Sequence, residues 1–235
     1  MQDLAQNLGQ SERTLYYALQ AYDKYPKLDK LPEGKNITWN KLITKYLPAP
    51  KTDPTPDLPI DKYEVIYADP PWAYDVDLSS GATRSPENNY PVMNLDELIK
   101  FGSRVREISA DNCILYMWIT APKLNWMNDV LEAWGFEYKT NLIWDKIKPN
   151  MGHYSSVRHE ILIIAGKGIC SPKTDGVIIQ SIDSVQSIEK TSRHSEKPEE
   201  FRQIIEKLYP NNKKIELFAR KKVDGWKVWG NDDNL

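Results

Sequence analysis

The tetrapeptide Asp69-Pro70-Pro71-Trp72 combines a carboxylate, two prolines and an indole, directly after an apolar segment. Proline fixes its own φ and keeps the preceding residue extended, so this turn is stiff. The backbone carbonyls of Asp69 and Pro70 lose helical partners and become available acceptors. Two acceptors and an aromatic plate suit a planar ring with an exocyclic amino group: the acceptors would take its two hydrogens, and Trp72 would stack on the ring.

This arrangement also predicts a reaction. The exocyclic nitrogen of adenine is a poor nucleophile because its lone pair is delocalised into the ring. Acceptors that hold its hydrogens out of conjugation make the lone pair more available to a sulfonium methyl donor placed in line with it. Positioning and electrostatics would then support a direct displacement without a covalent intermediate.

The elements that must position this turn alternate between strand-like and helix-like segments from Ile60 to Leu235. Apolar segments predict strands at Tyr63–Asp69, Cys113–Ile119, Asn141–Trp144, Ile161–Ala165 and Ile215–Phe218. Helical periodicity predicts helices at Leu95–Ile108, Lys123–Trp134 and Pro198–Leu208. Several strands are apolar on both faces, as in a parallel sheet covered by helices. We therefore expect an open, doubly wound, Rossmann-like α/β sheet, which binds ligands beyond the carboxyl ends of its strands.

Two regions precede this domain. Residues 1–47 have apolar residues at helical spacing, interrupted by Gly9-Gln10-Ser11, and Ser11 could cap a second helix. This pattern predicts a helix-turn-helix, with a further short helix at Thr38–Tyr46. A small bundle used for packing or dimerisation is an equal alternative, because few side chains of Ser11–Tyr22 could read bases. Residues 48–59 contain five prolines and predict an extended linker, so the main domain spans residues 60–235.

Composition excludes several classes of protein. With 40% hydrophobic and 27% charged residues, the chain is neither a disordered tail nor a membrane protein. The net charge of −2 argues against coating nucleic acid by bulk electrostatics, although a local basic groove stays open. No signal peptide is visible, and the two cysteines cannot build a disulfide framework, so a cytoplasmic location is expected. The three histidines lack ligand spacing, so no metal site is predicted.

Ordered blocks of residues from about Tyr63 to Asn231 resemble the MT-A family of adenine-N6 methyltransferases. Besides Asp69–Trp72, the similar blocks are Asn89–Asp96, Trp134–Glu137, Ile143–Lys146, Gly152–Tyr154, His159–Glu160, Gly166–Gly168, His194–Glu199, Ile215–Arg220 and Gly225–Asn231. The resemblance implies a class I methyltransferase fold with permuted motif order, in which the catalytic turn precedes the cofactor strand. It also implies S-adenosylmethionine as the methyl donor.

The resemblance assigns roles to individual residues. Asp69 and Pro70 would hold the target amine, and Trp72 would line the base site, so that the whole turn including Pro71 is catalytic. The residues implied on the substrate side are Tyr90, Lys146 and Glu160. The residues implied near the cofactor are Asp69, Lys197, Arg220, Asn231 and Asp232. The family often has a His-Asn pair after the arginine and a glutamine after the asparagine, where this chain has Lys221-Lys222 and Asp232.

The resemblance implies transfer of a methyl group to the N6 amine of adenine in nucleic acid, with DNA favoured over RNA because of the helix-turn-helix-like segment and the compact chain. An RNA adenosine methyltransferase is one alternative, and a catalytically inactive nucleic-acid-binding subunit is another. An enzyme acting on a protein amide or small amine is a third, although such motifs usually begin with Asn. Pairing as a homo- or heterodimer is also expected. Four of these residues also have an ordinary structural interpretation. Asp69 could cap a turn, and Lys197 could be a solvated residue at a helix start. The other two, Trp72 and Tyr90, could be core aromatics.

Overall fold

The structure is a computed structural model of the chain. It describes residues 8, 12–27, 30–47, 57–73, 92–150, 154–172, 179, 181–190 and 196–230. The chain divides into two compact units, Met1–Thr55 and Pro56–Leu235. Each unit has its own hydrophobic core. The domain boundaries predicted from the prolines stay a prediction, since residues 48–56 lie outside the described part of the chain.

The N-terminal unit contains helix α1, Glu12–Lys24, followed by a 3-10 turn at Gly34–Asn36. A helical turn at Trp39–Lys41 continues as a π-helical turn at Leu42–Tyr46. Three buried apolar side chains form its core: Tyr17, Leu42 and Leu47. The helix-turn-helix stays a prediction, because only Leu8 is described among the first 11 residues.

The larger unit contains a sheet of seven strands. They are β1 Tyr63–Ala68, β2 Ser109–Ile119, β3 Glu137–Asn150, β4 Val157–Lys167, β5 Val185–Ser187, β6 Lys214–Leu217 and β7 Lys227–Trp229. Their spatial order is β5-β3-β4-β2-β1-β6-β7. Strand β4 pairs antiparallel with both β2 and β3, and the other neighbours pair parallel. The sheet is therefore mixed.

The five predicted strands are present, and the expected α/β class is confirmed. The sheet is not parallel throughout, because β3 and β4 form a hairpin, which a short connection permits only between antiparallel strands. These two strands are also much longer than their apolar centres indicated. Strands β5 and β7 were not predicted, since three residues at a sheet edge carry little pattern.

Helices cover both faces of the sheet. Helices α2, Leu95–Ile108, and α3, Met127–Trp134, pack on one face, and α4, Glu199–Leu208, packs on the other. Side chains of β1 alternate between the two cores, with Ile66 on the α2 face and Tyr67 on the α4 face. Both faces are buried from Val65 to Ala68, which explains why this part of the strand is apolar, whereas Glu64 is exposed. No helix in the described ranges is long and apolar enough to cross a membrane.

Gly102 allows α2 and α3 to approach closely. A Cβ atom at this position would lie 2.8 Å from the carbonyl carbon of Ala133 and still closer to its oxygen. Because a backbone carbonyl cannot move aside without shifting its helix, Gly102→Ala should destabilise the protein by about 1–3 kcal/mol, as overpacked cores do. Urea unfolding measures this loss. The neighbouring exposed Ser103→Ala is the control, and equal stability of the two variants would contradict the close approach.

Candidate active site

The site lies at the carboxyl edge of the sheet, where β1 lies between the parallel strands β2 and β6. Asp69 follows β1, and its backbone N–H donates to the carbonyl of Leu217 at the end of β6 (3.4 Å). Phe218 then takes a left-handed backbone conformation, with φ of 61°, before Arg220 follows. Parallel packing of β1 and β6 therefore brings the acidic turn and this segment to one edge, the position at which open α/β sheets bind ligands.

Four charged side chains of alternating sign form a chain at this edge. The Nζ atom of Lys197 donates to Oδ2 of Asp69 (2.7 Å). The same ammonium lies 3.4 Å from Oε2 of Glu160. The other carboxylate oxygen of Glu160 accepts a hydrogen bond from Lys146. We refer to these four residues as the charge chain.

The charge chain is largely shielded from solvent. The exposed fractions are 11% for the side chain of Lys197, 15% for Glu160 and 21% for Asp69. Burial alone would lower the pKa of Lys197, but the nearby Asp69 and Glu160 carboxylates raise it above its usual value. Burial would raise the pKa of Glu160, but Lys197 and Lys146 hold it below its usual value. Lys197 and Glu160 are consequently both charged at neutral pH.

The charge chain predicts a pH dependence of stability. Because the folded-state pKa of Glu160 is lowered, its contribution is present above the unfolded pKa of about 4.3 and is lost as pH falls through the folded value. Glu160→Gln should therefore cost about 3 kcal/mol at pH 7 and much less at pH 3. Urea unfolding at both pH values measures the difference. An equal loss at pH 7 and pH 3 would contradict the ion pairs.

Lys197 affects the pH dependence of stability at alkaline pH. Its folded-state pKa is raised, so its contribution is complete below the unfolded value of about 10.4 and is lost as pH rises through the folded value. The ion pair of Lys197 with Glu160 is therefore intact over the whole neutral range.

The side chain of Trp72 is buried in the core and supports the turn from the protein interior. Its indole is 5% exposed, and its Nε1–H donates to the carbonyl of Trp118 (3.1 Å). Its ring lies 6.4 Å from that of Trp126, between centroids. In the described structure Trp72 has the role of a core aromatic, and stacking on a base stays a prediction.

Backbone hydrogen bonds brace the same turn. The N–H of Met93 donates to the carbonyl of Pro71 (2.7 Å), and the N–H of Ala73 donates to the carbonyl of Met93 (3.0 Å). The carbonyl of Pro70 accepts the N–H of Trp72 (2.9 Å), and its availability to a ligand stays a prediction. A carbonyl oxygen has two lone pairs, so one hydrogen bond still leaves capacity for another.

Aromatic side chains underlie the charge chain, and sequence analysis missed them. The ammonium of Lys197 lies 5.5 Å from the ring centroid of Trp118, within the range of a cation–π contact. The indole N–H of Trp118 donates to the hydroxyl of Tyr67 (2.6 Å). The ring of Phe201 lies 4.8 Å from that of Trp118. The available signal was the position of Trp118, one residue before β2 ends beside the acidic turn.

The structure brings together five of the predicted site residues: Asp69, Lys146, Glu160, Lys197 and Arg220. Arg220 is exposed, and its charge opposes the rise in the pKa of Lys197. Tyr90, Asn231 and Asp232 lie outside the described residues. Lys221, one of the departures from the family pattern, forms ion pairs with Glu199 (3.2 Å) and Glu196 (3.7 Å). In the part of the chain that is described, no group of three metal-binding side chains lies together.

A half-buried acid in contact with a lysine thus lies at the carboxyl edge of a mixed α/β sheet, where proteins of this architecture bind ligands. The chain belongs to the MT-A70 family, whose sequence profile matches residues 63–232. It is 38% identical over 194 residues to the type II methyltransferase M.MunI of Mycoplasma sp, an alignment that covers 74% of this chain and 79% of the relative. The fold thus carries a methyltransferase family domain.

More distant relatives are much longer proteins. The chain is 28% identical over 169 residues to the N(6)-adenosine-methyltransferase MT-A70-like protein of Drosophila melanogaster, covering 68% of this chain and 25% of that one. It is 27% identical over 172 residues to the human N(6)-adenosine-methyltransferase catalytic subunit METTL3, covering 68% and 26% respectively. The chain therefore spans about a quarter of these two relatives and most of the bacterial one.

Proposed function

We propose that this protein transfers a methyl group from S-adenosylmethionine to the exocyclic N6 amine of adenine in nucleic acid. The observation that carries the proposal is the Asp69–Lys197 contact at the carboxyl edge, within an Asp-Pro-Pro-Trp turn of an MT-A70 domain. The relatives named N(6)-adenosine-methyltransferases support the adenine target.

The donors and acceptors at this edge fit S-adenosylmethionine. Lys197 and Arg220 offer cationic donors for a carboxylate or ribose hydroxyls, and Asp69 offers an anion for a sulfonium. Asn231 and Asp232 are proposed as further ribose contacts. When bound, the cofactor supplies an electrophilic methyl group on a sulfonium centre. The protein then needs only to position the target amine and to stabilise the charge of the sulfonium.

Two acceptors of the turn each bind one hydrogen of the target amine. Oδ2 of Asp69 accepts from Lys197, and we assign one amine hydrogen to the other carboxylate oxygen, Oδ1. The carbonyl of Pro70 accepts the second with its remaining lone pair. Lys197 holds Asp69 in place through their contact and is itself a poor proton acceptor, because its pKa is raised. The proposal extends to Tyr90, Lys146 and Glu160 on the substrate side, and to Pro71 and Trp72 as supports of the turn.

DNA is the proposed polymer. The chain covers most of the length of the type II methyltransferase relative, and its helical N-terminal unit is a proposed DNA contact. A base inside a duplex must be flipped out at a cost of a few kcal/mol, so mismatched or single-stranded adenine should react faster. A reducing cytoplasm is the proposed location, consistent with two free thiols at Cys113 and Cys170. Dimer formation stays a prediction.

Methyl transfer from tritiated S-adenosylmethionine to adenine-containing duplex DNA, single-stranded DNA and RNA tests the proposal. Mass spectrometry of the digested nucleosides should identify N6-methyladenine in DNA above RNA. A larger product yield in RNA would overturn the choice of polymer alone. Cofactor binding by calorimetry without N6-methyladenine in any polymer would overturn the activity and favour an inactive subunit.

A further inference from the structure

The β3–β4 hairpin extends beyond the rest of the sheet at the edge that carries Asp69. Strand β2 ends at Ile119, which pairs with Ile161 of β4. The hairpin continues past this point with Trp144–Asn150 on β3 and Val157–Glu160 on β4. Because β3 runs parallel to β1 by way of the antiparallel β4, this extension rises beside the acidic turn. Lys146 and Glu160 of the charge chain both lie on it.

One residue of the extension has an unfavourable backbone conformation. Ile147 has φ of 64°, in the left-handed region that β-branched residues rarely occupy. It is the residue directly after Lys146. Such a conformation persists only where the surrounding contacts hold it. The pairing of β3 with β4 becomes irregular at this point, between Asp145 and Asn150.

Asp145 supplies those contacts. Its Oδ1 atom accepts the backbone N–H of Ile147 (2.9 Å) and Nε–H of Arg158 (2.7 Å). Its Oδ2 atom accepts from Nη2 of Arg158 (2.6 Å) and from the hydroxyl of Ser187 (3.2 Å). Its own backbone carbonyl accepts the N–H of Ile188 (3.0 Å). The side chain is 13% exposed and bonded on both oxygens, so it ties the turn to β4 and β5 at once.

Lys146 lies between Asp145, which holds the turn, and Ile147, which has the unfavourable backbone conformation. Its side chain is 11% exposed, lies over the ring of Trp144 (4.9 Å to the centroid) and contacts Glu160. A relaxed Ile147 would return β3 to regular pleating and turn the residues of the bulge away from their present directions. We propose that Asp145 is a positioning residue that directs Lys146 onto Glu160 and, through Lys197, fixes Asp69. Its catalytic consequence rests on the proposed function, whereas the contact itself does not.

Lysine reactivity tests the contact without any activity measurement. An acetylating N-hydroxysuccinimide ester modifies exposed amines, and mass spectrometry reports the rate at each lysine. In Asp145→Ala, Lys146 should react about tenfold faster than in the wild type, in line with the release of a strained turn. The exposed Lys100 on α2 is the internal reference. An unchanged rate at Lys146 would overturn the proposal.

A second substitution separates positioning from general damage. Glycine adopts a φ of 64° without steric cost, so Asp145→Ala/Ile147→Gly should bring the reactivity of Lys146 back to within about twofold of the wild type. The matched control is Asp183→Ala, which removes an exposed carboxylate next to β5 and should change nothing. Failure of glycine to restore protection would show that Asp145 does not act through the turn.

Kinetics then tests the catalytic consequence. Asp145→Ala should lower kcat for methyl transfer about 30-fold, because misplacement of a supporting group has such an effect, while the Kd for S-adenosylmethionine stays within about twofold. The glycine double variant should regain most of kcat. A loss confined to Kd would overturn the positioning role. Absence of methyl transfer by the wild type would reject the proposed function, and the acetylation result would still decide the contact.

Discussion

Asp69→Ala should lower kcat for methyl transfer by about 10³-fold, the upper range for loss of one preorganised polar group in an active site. The variant removes both the acceptor for the amine hydrogen and the anion that holds Lys197. Asp69→Asn should lose less, because its amide oxygen can still accept one hydrogen bond while its charge is gone. Single-turnover transfer to an adenine oligonucleotide measures the chemical step.

The control for this experiment is Asp111→Ala, which removes an exposed carboxylate at the opposite end of β2. It should leave kcat unchanged. Calorimetry of the Asp69 variants should show cofactor binding, so that the loss is assigned to the chemical step and not to unfolding. Full activity of Asp69→Ala would remove the mechanism proposed for this turn.

Lys197→Met should have the second largest effect, because it leaves the Asp69 and Glu160 carboxylates close together without their shared cation. We expect a loss of about 3 kcal/mol in the free energy of unfolding at pH 7, typical of one partner removed from a buried ion pair. Glu160 loses a cation that lowers its pKa, and kcat should fall about 10²-fold as Asp69 loses the contact that positions it.

Two measurements separate these consequences. Urea unfolding should show that the loss of stability shrinks as pH falls to 4, since protonation of Glu160 removes the repulsion. The pH–rate profile should shift toward alkaline pH, because a carboxylate without its cation ionises at higher pH. Lys100→Met on the exposed face of α2 is the control. A pH profile identical to that of the wild type would show that Lys197 does not set the ionisation of the site.

Much of the fold could be predicted because burial on both faces leaves a clear pattern. Strand β1 is apolar from Val65 to Ala68, and alternate residues there enter two different cores. The direction of β4 could not be predicted in the same way, since a buried segment has the same composition in either orientation. The projecting ends of β3 and β4 were missed because charged residues, among them Asp145, Lys146 and Arg158, interrupt the apolar pattern there.

The candidate site, like the fold, could be predicted only in part from the sequence. The acidic turn and Lys197 were predicted from motif blocks, and the structure places them in contact although 128 positions separate them. Stacking by Trp72 was expected from its residue type. The burial of its side chain in the structure depends on contacts with Trp118 and Trp126, which are remote in sequence. The role of Asp145 depends on partners from two other strands, so no local pattern could have indicated it.

The left-handed Phe218 connects the segment that leads to Arg220 with strand β7. Its ring lies 5.3 Å from that of Phe101 and 5.5 Å from that of Trp229, and the N–H of the next residue, Ala219, donates to the carbonyl of Trp229 (2.9 Å). Trp229 in turn stacks on Phe101 (5.2 Å). The edge strand and the loop bearing Arg220 are therefore mechanically coupled. A substitution of Trp229 in β7 is therefore expected to shift the backbone that carries Arg220.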